Sequence, residues 1–410
     1  MTSKKLKFNV IIPTRERKDT LSHCLRTVIA QDYENLNIIV SDNSSADGTF
    51  DVVKSFIDSR IQYINTGSRM SMSHNWEFAL NHVTDGWVMY IGDDDGLCPG
   101  AIELLNDLIQ EYKVEAVSAD YGTFIWPDHF KNYQNGALAI PLMNSVVVKN
   151  SRFEVEKVFA GKLPYQKLPW LYHGGAASID LINRLRDKNG RFFCSQIPDI
   201  YSAVALSLAT EKFLAIGIPL VIAGSSQHSN GASASGAISV KGGNPFAQFN
   251  AENNIPIHAS LAHASLVYRM SLQVIIYECY LQSWHIHEGQ LGILLEDQLR
   301  VAIRLVPASH RDQIRKECQM VAAKSGRPFD DRYSKSSRFL DAIFRLPVTL
   351  RKIFMSLQIE PKKMGLKNIY DAANASSYLY KFTRSRVHIL ILLGIENLIK
   401  HTVSKVKRTS

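Results

Sequence analysis

Short apolar, β-branched runs at residues 8–12, 36–40, 61–64 and 88–91 each stop at polar or turn-forming residues. Between them the apolar positions fall at helical spacing, as with Leu21, Leu25, Val28 and Ile29, and again with Trp76, Leu80 and Val83. A period near 3.6 predicts helices over 21–30, 50–57 and 73–83, and the intervening runs predict strands. Strands alternating with helices at this interval form βαβ units, so the fold class is α/β, a mostly parallel central sheet flanked by helices.

The pattern continues with a helix over 101–112 and strands over 114–119 and 145–148, separated by a surface excursion containing Trp126, Pro127, Tyr133 and Gly136. Residues 163–170, rich in aromatics and proline, form either a pocket wall or ordinary packing. Gly174-Gly175 opens a helix running through Leu185, and the glycines serve either a close backbone approach or a turn. His173, just before them, either lines an acceptor site or is a packed or exposed imidazole. Asp199 precedes a helix with Ile200, Val204 and Leu208 on one face, and 214–223 reads as a strand. The Gly/Ser/Ala-rich stretch that follows, to Gly243, reads as a mobile loop. Beyond Pro245 helical spacing dominates over 259–285, 290–304 and 310–323. The boundary is therefore set at 245–255, with an α/β domain over 1–245 and an α-helical domain over 246–410 that ends in a basic amphipathic tail.

Chemistry concentrates where the fourth strand ends, at Asp93-Asp94-Asp95-Gly96. Desolvating an unpaired carboxylate costs several kcal/mol or more, so three in a row require water, cations or a metal. The carboxyl end of a strand is where open α/β sheets take ligands, and oxygen ligands suit Mg²⁺ or Mn²⁺. An acidic turn ahead of the next helix is the plain alternative.

At 410 residues the chain has room for two domains. No apolar run approaches the ~20 residues that span a bilayer, and the amino terminus lacks the apolar core of a secretory signal. Five scattered cysteines fit reduced thiols in a cytoplasmic protein, not a disulfide framework or a zinc site. The net charge of +9 is unevenly distributed: residues 331–410 carry +11, leaving −2 on the first 330. Over 378–408 basic residues mix with aliphatic ones, a pattern that suits either a peripheral contact with anionic membrane or a helix packed on its own domain.

Four segments, in order, resemble the motifs of glycosyltransferase family 2 enzymes with the GT-A fold, which take sugar from nucleotide-sugar donors. Val10-Ile11-Ile12-Pro13-Thr14-Arg15-Glu16-Arg17 is similar to their opening motif, and Ser41-Asp42-Asn43-Ser44-Ser45-Ala46-Asp47-Gly48-Thr49 to their second. Asp93-Asp94-Asp95 resembles their Asp-x-Asp metal motif, and Pro198-Asp199 their catalytic acid pair. The resemblance covers roughly the first 230 residues.

It implies a GT-A (Rossmann-like) sheet in which Pro13, Thr14, Glu16, Asp42, Asn43, Asn75, Asp93 and Asp94 bind the nucleotide-sugar, UDP-sugar being favoured. Arg69 is its candidate for the phosphates. It implies Mn²⁺ or Mg²⁺ on Asp95 and on His228, whose alternative is a surface position. It implies Asp199 as general base, with a helix N-cap as the rival role. Asn43 stands where a second acid is usual, and Arg15-Glu16 where an aromatic-Asn pair is usual. The expected reaction is inverting transfer of one sugar to a glycan or lipid-linked acceptor in surface polysaccharide synthesis, by a cytoplasmic or peripherally membrane-bound protein with room for a homo-oligomer through its helical region. A sugar nucleotidyltransferase would want a glycine-rich phosphate loop after the first strand. A nucleic-acid binder would want aromatics among the basic residues of the tail, which is mainly aliphatic.

Overall fold

The computed structural model describes residues 5–127, 135–227, 252, 254–261, 272–306, 311–326, 356–360 and 364–384. His228, most of the glycine/serine-rich loop, most of the boundary at 245–255 and the tail beyond residue 384 lie outside the described residues.

The amino-terminal half begins as the periodicity predicts. Strand β1 (Phe8–Thr14), helix α1 (Lys18–Ile29), β2 (Leu36–Asp42), α2 (Thr49–Lys54), β3 (Ile61–Asn65), α3 (Met72–Leu80) and β4 (Trp87–Tyr90) follow one another. These four strands are parallel, with β1 between β2 and β4 and β3 outside β2. Along β1, Ile11 joins the apolar core on one face of the sheet, while Val10 and Ile12 join the core on the other. Two-faced burial is why these strands read as continuous apolar runs.

A two-residue strand β5 (Gly96–Leu97), helix α4 (Ala101–Tyr112) and the long strand β6 (Ala116–Ile125) come next, then β7 (Leu138–Pro141), β8 (Val146–Asn150) and α5 (Ser151–Phe159). After a 3-10 turn at Tyr165–Lys167 come β9 (Ala176–Ser178), α6 (Ile179–Arg184), α7 (Pro198–Ala209) and β10 (Lys212–Ser225). Here the sheet becomes mixed. β6 and β10 are parallel to each other, whereas β9 runs antiparallel to both β4 and β6. The parallel expectation thus holds for β1 to β4 and for β6 with β10, and the remaining pairings are antiparallel.

One element differs in kind. The segment expected to open a helix at Gly174 instead forms β9, and helix α6 starts only at Ile179. Ala176 and Ala177 wedge between Trp87–Val88 and Ala116–Val117, and their ladder hydrogen bonds with both neighbours replace the helical ones.

The carboxy-terminal half supplies α8 (Leu272–Gln282), α9 (Trp284–His287), α10 (Leu295–Leu305), α11 (Arg311–Lys324), β11 (Ser356–Ile359) and α12 (Ile369–Arg384). It is mainly helical, as expected, but β11 extends the sheet by pairing with β7. Helices α8, α10 and α11 share one apolar cluster with α3, α5 and α7, and Ile369, Ala372 and Ala373 of α12 close a second over Cys98, Phe124 and Ile222. All five cysteines are free and buried. No helix among the described residues is long and apolar enough to cross a membrane.

Candidate active site

The carboxyl ends of β1, β2 and β4 converge on a cleft holding about 500 Å³ of space, part of it open to solvent. Pro13, Thr14, Asn43, Asn75 and Asp93, all singled out from the sequence, line it together with Arg15, Arg17, Met72, Trp76, Ile91, Gly92 and Tyr172.

The three aspartates are buried, and each is satisfied by the protein itself. Asp93 accepts from Thr14 Oγ1 at 2.7 Å and from Arg17 Nη1 at 3.0 Å. Burial pushes its carboxyl up to about 6, helped by Asp94 and opposed by Arg17 and Thr14. Asp94 Oδ2 accepts from Ser226 Oγ at 2.7 Å, and its carbonyl accepts from Trp126 Nε1. Asp95 closes the turn on itself: Gly92 N donates to Oδ2 at 2.7 Å and Gly224 N to Oδ1 at 2.8 Å. The end of β10 therefore clamps the acidic turn from the side. The requirement for counter-charge and hydrogen bonds that three adjacent acids impose is met by a cation, hydroxyls and backbone N–H groups.

Asp42, at the end of β2, accepts from Ser45 N at 2.9 Å and from Tyr63 Oη at 2.6 Å. Burial and this bond to the carboxylate raise the Tyr63 phenol to about 12. Asn43 lines the cleft while its amide holds the loop after β3, donating to Met70 O and accepting from Met70 N. Asn75 accepts from Ser41 Oγ at 2.7 Å. Glu16, in the left-handed region at φ 53°, pairs with Arg69 at the more exposed rim, so the candidate phosphate-binding arginine is engaged with a carboxylate.

Asp199 belongs to the first turn of α7, whose N-cap is Ile197 without a side-chain capping bond. The strict N-cap role is therefore not the one it occupies. Its Oδ2 accepts from Tyr165 Oη at 2.9 Å. Burial raises its carboxyl, while the phenol, the N–H of Ile200 and His173 pull it back down. His173 is the link across the site, because its Nε2 lies 3.2 Å from Asp95 Oδ2 while its ring also acts on Asp199.

Two groups, Arg17 and Tyr172, carried no role in the sequence, and His173 carried only an open one. Arg17 stands inside the opening motif, but only the tertiary structure sets its guanidinium on Asp93. Tyr172 and His173 arrive through a segment that lies beside the end of β4, where Tyr90 N donates to Leu171 O and Tyr172 bridges Tyr90. The His173 ring packs against Tyr172 with centroids 3.8 Å apart. A left-handed His173 followed by left-handed Gly174 turns the chain there, and the adjacent glycine pair was the one local signal.

Residues 9–165 match the family model described as glycosyl transferase family 2. Through this stretch the chain is similar to glycosyltransferase family 2. It is 34% identical over 108 residues to the GalNAc(5)-diNAcBac-PP-undecaprenol beta-1,3-glucosyltransferase of Campylobacter jejuni, covering 26% of this chain and 35% of the relative. It is 29% identical over 87 residues to the UDP-Glc:alpha-D-GlcNAc-diphosphoundecaprenol beta-1,3-glucosyltransferase WfaP of Escherichia coli, covering 21% and 35%. The match thus spans about a third of each relative's length. Among solved structures, S. aureus TarS 1-349 in complex with UDP-GlcNAc aligns with a TM-score of 0.44 at 14% identity, over 78% of this chain and 89% of that one. The family 2 match contains the first three motifs and ends short of Asp199.

Proposed function

We propose that the chain is an inverting glycosyltransferase that moves one sugar from a nucleoside diphosphate-sugar, a UDP-sugar foremost, to a hydroxyl of a lipid-linked or other glycoconjugate acceptor. Residues 1–245 are assigned as the catalytic domain and 246–410 as an α-helical domain. The observation that carries this is the placing of Asp95 and Asp199 around His173, which lies 3.2 Å from Asp95 and acts electrostatically on Asp199, beside the cleft at the carboxyl ends of β1, β2 and β4. The lipid-linked acceptor is supported by the names of the two undecaprenol-directed relatives.

In the proposed reaction Asp199 takes the acceptor's hydroxyl proton as its oxygen bonds to the anomeric carbon. The bond from that carbon to the phosphate oxygen breaks, and the nucleoside diphosphate leaves with the electron pair. Attack opposite the leaving group inverts the centre. Asp42, Asn43 and Asn75, with Pro13, Thr14 and Glu16, are assigned to the nucleoside, and Asp93 and Asp94 to its ribose side. Arg15 and Arg17 line the cleft paired with Glu252 and Asp93, and a diphosphate would take them in competition with those carboxylates.

A divalent cation fits this site only as a partner of the substrate. Among the described residues no three His, Cys, Asp or Glu side chains stand together to enclose an ion. Asp95 Oδ1 accepts one backbone N–H and, as a carboxylate oxygen, retains a further lone pair, whereas Oδ2 accepts a backbone N–H and lies 3.2 Å from His173 Nε2. Mn²⁺ or Mg²⁺ would be held there by one or two carboxylates completed by diphosphate oxygens. When bound it supplies neutralisation of the departing diphosphate.

Titrating the full chain with UDP, GDP, CDP and dTDP, with and without Mn²⁺, tests this assignment. Tighter binding of one nucleotide in the presence of metal is expected; binding of none, or binding indifferent to metal, overturns the metal-dependent transferase. The basic tail is further assigned to contact with an anionic membrane, where a lipid-linked acceptor would lie.

A further inference from the structure

The 3-10 turn at Tyr165–Lys167 is fastened to β6 from two directions. Lys167 pairs with Asp120, and Ser118 Oγ donates to the carbonyl of Gln166 at 3.4 Å. From this platform the Tyr165 ring stands edge-on to Trp170, with centroids 5.6 Å apart at 89°, and its hydroxyl donates to Asp199 Oδ2 at 2.9 Å. The turn and the ring packing are both fixed, so the phenol is a rigid donor that the carboxylate must meet.

We propose that Tyr165 is a positioning residue for Asp199, pinning Oδ2 so that the other carboxylate oxygen is presented to the acceptor hydroxyl. The inference rests on Asp199 being the base of the proposed reaction. A rigid donor reduces the number of carboxylate rotamers and selects the one that reacts, which is how an orienting residue raises kcat without touching substrate.

The same bond acts on proton affinity. Tyr165 from the turn, His173 and Tyr172 from the segment beside β4, Tyr121 of β6 and Cys279 of α8 are the titratable groups facing Asp199. Burial raises its carboxyl, and the phenol's hydrogen bond to the ionised form is the strongest pull in the other direction. Removing the hydroxyl leaves the burial in place and raises Asp199 further. A base works when ionised, so the acid limb of the pH profile moves to higher pH.

The test uses the full chain with Mn²⁺ and whichever of UDP-glucose, UDP-N-acetylglucosamine and GDP-mannose it turns over, reading release of nucleoside diphosphate. For Tyr165→Phe we expect kcat about tenfold lower and the acid limb of kcat/KM about one pH unit higher. Donor KM stays as in the wild type, and the melting temperature at neutral pH falls modestly, because raising a carboxyl in the folded state costs stability where it is ionised. Lys167→Ala cuts one of the turn's two anchors but keeps the phenol, and its acid limb moves in the same direction by less. An unmoved limb in Tyr165→Phe, or a larger shift in Lys167→Ala than in Tyr165→Phe, overturns the positioning role. Asp199→Asn separates this failure from failure of the proposed function: full transfer by that variant, or turnover of none of the donors by the wild type, overturns both. Loss of transfer in Asp199→Asn beside an unchanged Tyr165→Phe overturns the role of Tyr165 alone.

Discussion

At the scale of single residues, two carboxylates with similar chemistry sit in different surroundings. Asp95 accepts two backbone N–H groups and faces His173, whereas Asp199 accepts from a phenol and from the N–H of Ile200 at the start of a helix. The first is built into the turn that ends β4, and the second is held from outside by a neighbouring turn. Their substitutions are therefore expected to fail differently. Asp199→Asn should retain nucleotide binding within about twofold and lose roughly 10²–10⁴-fold in transfer, the usual range for removing a general base. Asp95→Asn should lose the metal-dependent part of nucleotide binding, and its melting temperature should fall, because an amide nitrogen would then confront one of the two backbone donors. Calorimetric titration with UDP and Mn²⁺ beside a transfer assay distinguishes them. Equal binding loss in both variants contradicts the division of roles.

At the scale of elements, the acidic turn is aligned by β10 as much as by its own strand. Gly224 donates to Asp95, and a Cβ added to it would lie 1.8 Å from the carbonyl oxygen of Asp94. That contact is with backbone, so the turn or the strand must shift. Overpacking of this kind costs about 1–3 kcal/mol. Gly224→Ala is expected to lower the melting temperature by several degrees and to weaken nucleotide binding together with it, checked by scanning calorimetry and titration. Retained binding at wild-type affinity would show that the turn holds its shape without β10.

At the scale of the whole molecule, charge and packing divide the chain in different places. The excess of +11 in residues 331–410 marks off the carboxy-terminal part electrostatically, yet β11 and α12 within that part complete the sheet and a core cluster of the α/β half. On α12 the exposed Tyr378 and Phe382 stack on each other. Exposed aromatics beside a basic surplus suit an anionic bilayer surface. The full chain is expected to co-sediment with phosphatidylglycerol vesicles at low salt, to leave them as salt shortens the ~8 Å physiological screening length, and to ignore phosphatidylcholine vesicles. Equal binding to both lipids would remove the electrostatic basis of the membrane assignment.

What the chain's own pattern determined is local. The apolar runs of β1 to β4 and the helical spacing of α1, α3 and α4 are properties of neighbouring residues, and so are the polar residues that end β1 at Thr14 and β2 at Asp42 and that follow β4 from Gly92 to Asp95. These place a ligand cleft at the carboxyl ends of parallel strands without reference to any tertiary contact. What the tertiary structure decided are the pairings between segments far apart in sequence. Alanines after a glycine pair became strand β9 because two other strands needed a partner, and Ser226 and Gly224 found Asp94 and Asp95 some 130 positions away. Tyr165 likewise reached Asp199 across 34 residues. A side chain's partners across such distances follow from how the layers pack, which no periodicity along the chain encodes.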